Sequence, residues 1–478
     1  MKKWGFALTA VLLLVTPLVV AAAGPNPGTG NAKIYAMNLD SGGSAHVVVD
    51  YYNQYPPPDI AYSDSATVAY AGHASWDTQV SGLPSAWLGS AILSSDRPIA
   101  AVSHLLWTGG AVGDGATAAG YTGFTQGANT VYAPALFKRT YQSSKVTVQN
   151  TETGDAAVTV EFYTRGVSTP VYTLNDTIPG GAQRTYDVWD YAQIPDFGPD
   201  PGTDNWVGAA KITSPQKVAV VVTTFWNWGS GSYSGVSTPS TKLYVPSIFK
   251  KKFANWQIYS GAIIMNPNAS DAHLTMYFYN RDGTLAVPAV SQTIAPFASE
   301  GFNTRYDSDP GGSNVFTAVS NDWNGLAIIE SDVPVVGIVN IIWRVPSNQT
   351  GSYSMGTDAT DASLKLAYPI RTKRNFGTWE KWSGAIYQNT TGSTASVDTT
   401  FYNSDGTVAK GPFNVSIPGH GAQGYNTRYN TGLFEAPPTG LPADWEGTVI
   451  VVSSQPIVGI MNNIWSNQTA TYNAALMP

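Results

Sequence analysis

Five histidines, two acidic turns and three loop-like aromatics are the residues of this chain whose types could do chemistry. His46, His73, His104, His273 and His420 are the imidazoles. Hydrolysis would need a nucleophile beside its base, or paired carboxylates, and the chain carries no Gly-x-Ser-x-Gly and no His-Glu-x-x-His. The histidines fall at unrelated points of the chain, without a spacing suited to a shared metal, and read as ordinary strand and loop residues. No catalytic residue is expected, and the chain is read as no enzyme. Asp196, Asp200 and Asp204, and further on Asp307 and Asp309, put carboxylates on turns, where hard cations find oxygen ligands, but neither turn matches a calcium loop. The expectation is therefore no cofactor, with calcium the one ion left open. Trp228 and Tyr233, in the glycine-rich stretch Trp228-Gly-Ser-Gly-Ser-Tyr-Ser-Gly235, and Trp382 read as loop aromatics on which a sugar ring could stack.

The remaining aromatics belong to a repeat that must position everything else. A Trp-x-Gly is followed by a second Trp four times: Trp87 and Trp107, Trp206 and Trp226, Trp323 and Trp343, Trp445 and Trp465. Successive first tryptophans are 119, 117 and 122 residues apart, a period of one small domain. An Asn ending one strand and an aromatic pair ending the next recur as Asn38 with Tyr51-Tyr52, Asn150 with Phe162-Tyr163, Asn266 with Phe278-Tyr279 and Asn389 with Phe401-Tyr402. Period-two alternation, as in Val158, Val160 and Phe162 against Thr159, Glu161 and Tyr163, marks strands with one face on a core. Between the two tryptophans a Ser-x-x-Pro turn predicts a hairpin that brings both rings to one open end of a sandwich. Three units open on a proline-bearing strand, Tyr132-Ala-Pro134, Tyr244-Val-Pro246 and Tyr368-Pro369, and the first unit has none. One terminal sandwich is thus expected to expose an unfilled edge, a template for strand addition, unless an atypical capping repeat covers it.

Composition narrows the class. Only 12% of the residues are charged, and losing Lys2 and Lys3 with a leader would take the formal charge from -7 to -9. Nucleic-acid binding needs basic density that is absent, and Lys250-Lys-Lys252 reads as a solvated edge. With no cysteine, each unit must hold itself by burial, and thiol-based metal chemistry is excluded. Lys2-Lys3, the apolar run Phe6 to Val20 and Ala21-Ala22-Ala23 read as a secretory signal peptide cut near Ala23, leaving no membrane span. The chain divides into a signal peptide at 1-23 and four β-sandwich repeats at 24-130 (opening on a spacer, 24-30), 131-242, 243-363 and 364-478. Six Asn-x-Ser/Thr sequons begin at Asn175, Asn268, Asn348, Asn389, Asn414 and Asn467.

The unit of Tyr-x-Pro opening, strand-ending Asn, Phe-Tyr-Asn-x-Asp-Gly, Trp-x-Gly and Ser-x-x-Pro resembles the tandem Ig-like β-sandwich repeats of secreted bacterial cell-surface proteins. The resemblance implies an all-β chain of four antiparallel sandwiches, located outside the cell. The first functional expectation is a non-catalytic structural or adhesive protein, part of a surface fibre, stalk or layer, with copies of itself or other surface components as partners. Short linkers predict a stiff, elongated array. The second is a carbohydrate-binding protein using Trp228, Tyr233 or Trp382.

Overall fold

The computed structural model describes residues 9–14, 25–54, 60–79, 82–84, 87–139, 141–195, 205–253, 257–305, 315–345, 348–355, 357–358, 361–375, 379–428, 440–465 and 468–477. The two acidic turns at 196–204 and 307–309 and the expected cleavage site lie outside these residues. Apart from short 3-10 turns and loops, the described elements are strands, and all named strand pairs are antiparallel. No helix of the described residues is long and apolar enough to cross a membrane.

The first repeat contributes β1 (Thr9–Leu14), β2 (Gly28–Asn38), β3 (Ala45–Asn53), β4 (Ile60–Val68), β5 (His73–Asp77), β6 (Gly89–Ser95), β7 (Ile99–Gly109) and β8 (Ala116–Thr122). They form two four-stranded sheets, ordered β1-β6-β3-β4 and β5-β2-β7-β8. The second contributes β9 (Ala128–Arg139), β10 (Gln142–Asn150), β11 (Ala156–Thr164), β12 (Pro170–Ile178), β13 (Gln183–Asp187), β14 (Asn205–Trp226) and β15 (Gly229–Ser234), in the order β12-β11-β14-β9-β10-β13 with β15 also on β14. The third and fourth repeats follow the same order. In β11, Val158, Val160 and Phe162 are buried against the core while Ala157 is exposed, as the period-two pattern requires, but Tyr163, expected on the other face with Thr159 and Glu161, is buried as well, stacked on Phe297 of repeat three at 5.6 Å.

The long strand β14 corrects the expected hairpin. Its first half pairs with β9 and β11 and its second half with β10 and β15, so the halves lie in different layers and do not pair with each other. The Ser214-Pro-Gln-Lys217 segment is the corner between layers rather than a hairpin turn. Both tryptophans still return to one end: Asn205 lies opposite Arg139, Trp226 opposite Gln142, and Arg139 opposite Gln142. The expected spacer is also shorter than predicted, because Gly28 to Gly30 already pair with Gly109 to Trp107.

The opening strands belong to their own repeats. β9 pairs with β14, Ser240–Lys252 with Asp322–Val345, and Ser363–Asn375 with Asp444–Trp465. Each pairing is interrupted at the Tyr-x-Pro, between Ala133 and Leu136, Val245 and Ile248, and Tyr368 and Arg371. A proline has no N–H for the ladder, and the irregularity is where its absence is tolerated.

The four repeats do not run in file. Repeat one touches two through Ser90 Oγ, donating to the Gly181 carbonyl at 2.9 Å, and two touches three through the Arg165–Glu300 ion pair at 2.6 Å. Three touches four where the Ala422 amide donates to the Arg281 carbonyl at 3.0 Å. Repeat four then returns to repeat one: Thr448 Oγ1 donates to the Ala71 carbonyl, and Thr122 Oγ1 to the Asn473 carbonyl at 2.9 Å. At the middle of this closed circuit β8, β15, Asn348–Met355 and Gln468–Asn473 pack side by side. Their small residues permit the approach: a Cβ on Gly120 would sit 2.8 Å from that of Ala470, and Thr117 Oγ1 meets Ser230 Oγ at 2.8 Å. The expectation of an elongated array is therefore corrected; the short linkers turn the chain instead of extending it.

Candidate functional site

The repeated tryptophans are structural at each first position. Trp87, Trp206, Trp323 and Trp445 are buried, and their indole N–H groups donate to Asn53, Thr164, Asn280 and Asn403 at 3.0, 2.9, 2.9 and 3.2 Å. The acceptor is the residue directly after the aromatic pair, so two sequence landmarks form one bond. Each indole folds back over the glycine two residues on: a Cβ on Gly89, Gly208, Gly325 or Gly447 would overlap the ring and the carbonyl of Tyr52, Tyr163, Tyr279 or Tyr402. That is the physical reason for Trp-x-Gly. Three of the second tryptophans face a junction between repeats, and one lies in a core. Trp107 meets Phe225 edge-on at 4.8 Å, Trp226 is buried in the second core, Trp343 packs beside Ile386 and Ile460, and Trp465 lies 5.5 Å from His104.

The strand-ending asparagines are wholly buried staples. Asn150 Nδ2 donates to the carbonyls of Gly154 and Ile178 at 2.6 and 3.0 Å, and its Oδ1 accepts from the Glu152 amide at 3.0 Å. Asn38, Asn266 and Asn389 repeat the pattern. A lysine that donates to backbone carbonyls recurs too, buried at Lys138 and Lys250 and half-buried at Lys373. Lys138 Nζ donates to the Tyr191 and Ile194 carbonyls at 3.0 and 2.8 Å, Lys250 Nζ to those of Phe316 and Val319, and Lys373 Nζ to that of Leu441 at 2.8 Å. Lys250 and Lys251 are only 3% and 7% exposed, which corrects the solvated-edge reading.

Histidines gather at the junctions, which sequence reasoning missed. His104, on β7, is buried where repeats one and four meet. The rings of Tyr35, Trp465 and Tyr472 lie 5.2, 5.5 and 6.1 Å from it, and Asn463 Nδ2 stands 3.3 Å from its Nε2. Asn463 Oδ1 accepts from Ser383 Oγ, which itself accepts from the Thr372 amide at 2.8 Å, so the amide nitrogen is the end turned to the imidazole. Burial drives the His104 pKa down to about 3, with Lys381 and Lys33 pushing the same way and Glu446 opposing. Beside it His73 Nε2 lies 3.6 Å from Glu446 Oε1. Burial would raise the Glu446 carboxyl, but the His73 hydrogen bond and the charges of Lys33, His73 and Lys381 outweigh it and hold the group below its ordinary range. His420, at positive φ between repeats three and four, packs on Tyr279 at 5.4 Å. His46 and His273 are not at unrelated points as expected. Their amides donate to Asp96 and Asp332 at 2.8 Å, the same place in two units, and the shared Ser-Asp-x-Pro was the signal that could have shown it.

The three sugar-stacking candidates are not brought together. Trp228 is 44% exposed, with Tyr141 beside it at 6.1 Å. Tyr233 is not in a loop but in the central strand β15, buried, its hydroxyl donating to the Ala135 carbonyl at 2.7 Å and accepting from that residue's amide at 3.1 Å. Trp382 is buried and carries the Arg428 guanidinium 4.3 Å from its ring centre, so that face is taken. Sequence reasoning also missed a basic cavity of about 260 Å³ in repeat three, lined by Lys250, Lys251, Lys252, Arg305, Tyr259 and Gln257 among others. Its cations are engaged internally: Lys250 donates to the Phe316 and Val319 carbonyls, Lys251 pairs with Asp322 at 2.6 Å, and Arg305 donates to the Tyr259 hydroxyl at 3.1 Å. Among the described residues no group of three or more His, Asp or Glu is placed to hold a metal ion.

No protein-family model matches the chain, and no curated protein matches it. Among solved structures, the chain is similar to Thermotoga maritima 1070, at 17% identity over 25% of this chain and 96% of that one, with a TM-score of 0.21. It is also similar to the Anabaena sensory rhodopsin transducer, at 18% identity over 21% of this chain and 96% of that one, with a TM-score of 0.17.

Proposed function

We propose that the protein is a non-catalytic extracellular structural or adhesive component, four Ig-like β-sandwiches in one chain, serving as a building block of a surface fibre or layer. The observation that carries this reading is the fate of the most regularly repeated polar and aromatic side chains. The first tryptophans, the asparagines and the lysines each spend their hydrogen bonds inside their own unit, and the second tryptophans pack in a core or at a junction. Chemistry would need such groups converging on one open pocket. Contact between the first and fourth repeats favours a compact block over a stalk. Its partners are copies of itself or other surface components, met through outer faces of the circuit. Negative-stain imaging of native material tests this: a fibre or lattice of compact particles is expected, and isolated monomers at all concentrations would sink it.

A second reading, carbohydrate binding, rests on Trp228 alone, whose exposed ring beside Tyr141 offers a stacking face. A glycan array on which the wild type binds and Trp228→Ala does not would favour it over the first.

A further inference from the structure

Among its described residues after 24, repeat one has no opening strand of its own, yet its β6 edge is not bare. The neighbours of β6 are β3 on one side and β1, the Thr9–Leu14 segment of the apolar leader, on the other. The register is that of the other repeats. Leu14 lies opposite Gly89, the glycine of Trp-x-Gly, where Leu136 lies opposite Gly208 and Ile248 opposite Gly325. Ala10 lies opposite Leu93, as Val131 lies opposite Ile212. The core beneath requires a strand there. Ala91 and Leu93 are wholly buried, and without a neighbour β6 would present a row of open backbone donors and acceptors beside them.

We propose that the β6 edge of repeat one is a strand-acceptor site and that its occupant is this chain's own Thr9–Leu14, which acts as the missing first strand and stays with the folded protein. The segment is then more than an export address: it completes a sheet. The three other repeats show what the site takes, an antiparallel, extended strand that reaches at least to the Trp-x-Gly glycine, opposite which Leu136, Ile248 and Arg371 stand. Thr-Ala-Val-Leu-Leu-Leu meets that description without the Tyr-x-Pro irregularity, and its six residues pair without a shift of register.

The test compares amide hydrogen exchange of Gly89–Ser95 in three proteins: the full chain, a chain beginning at Gly24, and the full chain carrying both Val11→Pro and Leu12→Pro. Successive residues of a strand point their N–H groups to opposite sides, so one of the two prolines removes a donor aimed at β6. Exchange of the β6 amides should quicken by about tenfold or more in both variants, while Asn205–Trp226 in repeat two stays protected. A synthetic peptide of residues 6–20 added to the chain beginning at Gly24 should restore protection at 89–95, and a scrambled peptide should not. If the shortened chain is insoluble, refolding it with the peptide should yield soluble protein that refolding alone does not. The proposal is overturned if β6 stays fully protected in the shortened monomer, if the peptide restores nothing, or if the shortened chain protects β6 by pairing with a second copy. It is overturned equally if β6 exchange in the double-proline chain matches that of the full chain.

Discussion

Lowering the pH from 7.5 to 5.0 should weaken the junction that closes the circuit, and the group responsible is His104. In the folded chain its pKa lies at about 3, against 6.5 for the free side chain, because the imidazole is buried under Tyr35, Trp465 and Tyr472. The folded state therefore keeps His104 neutral where the unfolded chain would bind a proton. Stability from this site is fully present above pH 6.5 and is lost as the pH falls from 6.5 toward 3. At pH 5.0 the loss is about 2 kcal/mol, from 1.4 kcal/mol for each of about one and a half pH units. Protonation would also turn Nε2 from acceptor to donor against the Asn463 amide, which is held facing it. Glu446 adds to the acid sensitivity only further down: its carboxyl is held below 4.5, so its contribution is present above that value and lost as the pH falls through the folded pKa. The assay is urea unfolding followed by tryptophan fluorescence at both pH values, for wild type and for His104→Gln, which is uncharged and keeps an acceptor for Asn463. Wild type should lose about 2 kcal/mol more than the variant. Equal losses in the two proteins would refute the assignment.

Gly325→Ala should cost about 3 kcal/mol, because a Cβ there overlaps the Trp323 ring and the Tyr279 carbonyl, whereas Gly154→Ala, with nothing near its added carbon, should be almost neutral by thermal melting. Asn389→Leu should cost about 3 kcal/mol by removing its bonds to the Ser393 and Ile417 carbonyls and to the Thr391 amide in or beside the core. Asn389 should carry no glycan on the folded protein, being wholly buried, while the exposed Asn175 and Asn414 stay accessible; peptide mapping of material from a glycosylating host checks this. Small-angle scattering should give a radius of gyration of about 23 Å, the value for one compact chain, and a figure near 40 Å, that of four bodies in file, would contradict the closed circuit.

Strand identity was legible where the pattern is local. Val158, Val160 and Phe162 alternate with polar neighbours, and burial follows that alternation up to Phe162; Tyr163 departs from it because the neighbouring repeat covers its ring. The corner in β14 was not legible, because Ser214-Pro-Gln-Lys217 between two strands is compatible with a hairpin and with a change of layer; the choice depends on whether β9 and β10 offer the halves separate partners. Lys250 misled for a related reason. A lysine beside an apolar strand is normally solvated, and only the carbonyls of Phe316 and Val319, over sixty residues away, give it a buried partner. The sugar-stacking candidates show the same limit: Tyr233 and Trp382 were placed on loops by neighbouring glycine and polarity, while their burial comes from other strands.

From its sequence alone the chain declares four copies of one β unit, the Trp-x-Gly and Asn landmarks of each, and the missing opening strand of the first. These follow from short-range spacing, which side-chain alternation and turn chemistry impose within a few residues. Tertiary structure alone decided that the copies close on themselves, that His73 and His104 meet Glu446 and Trp465 at the last junction, and that Thr9–Leu14 lies along β6. Those contacts join residues some 80 to 370 positions apart, and complementary surfaces in the folded units, with no local periodicity to announce them, select which residues meet.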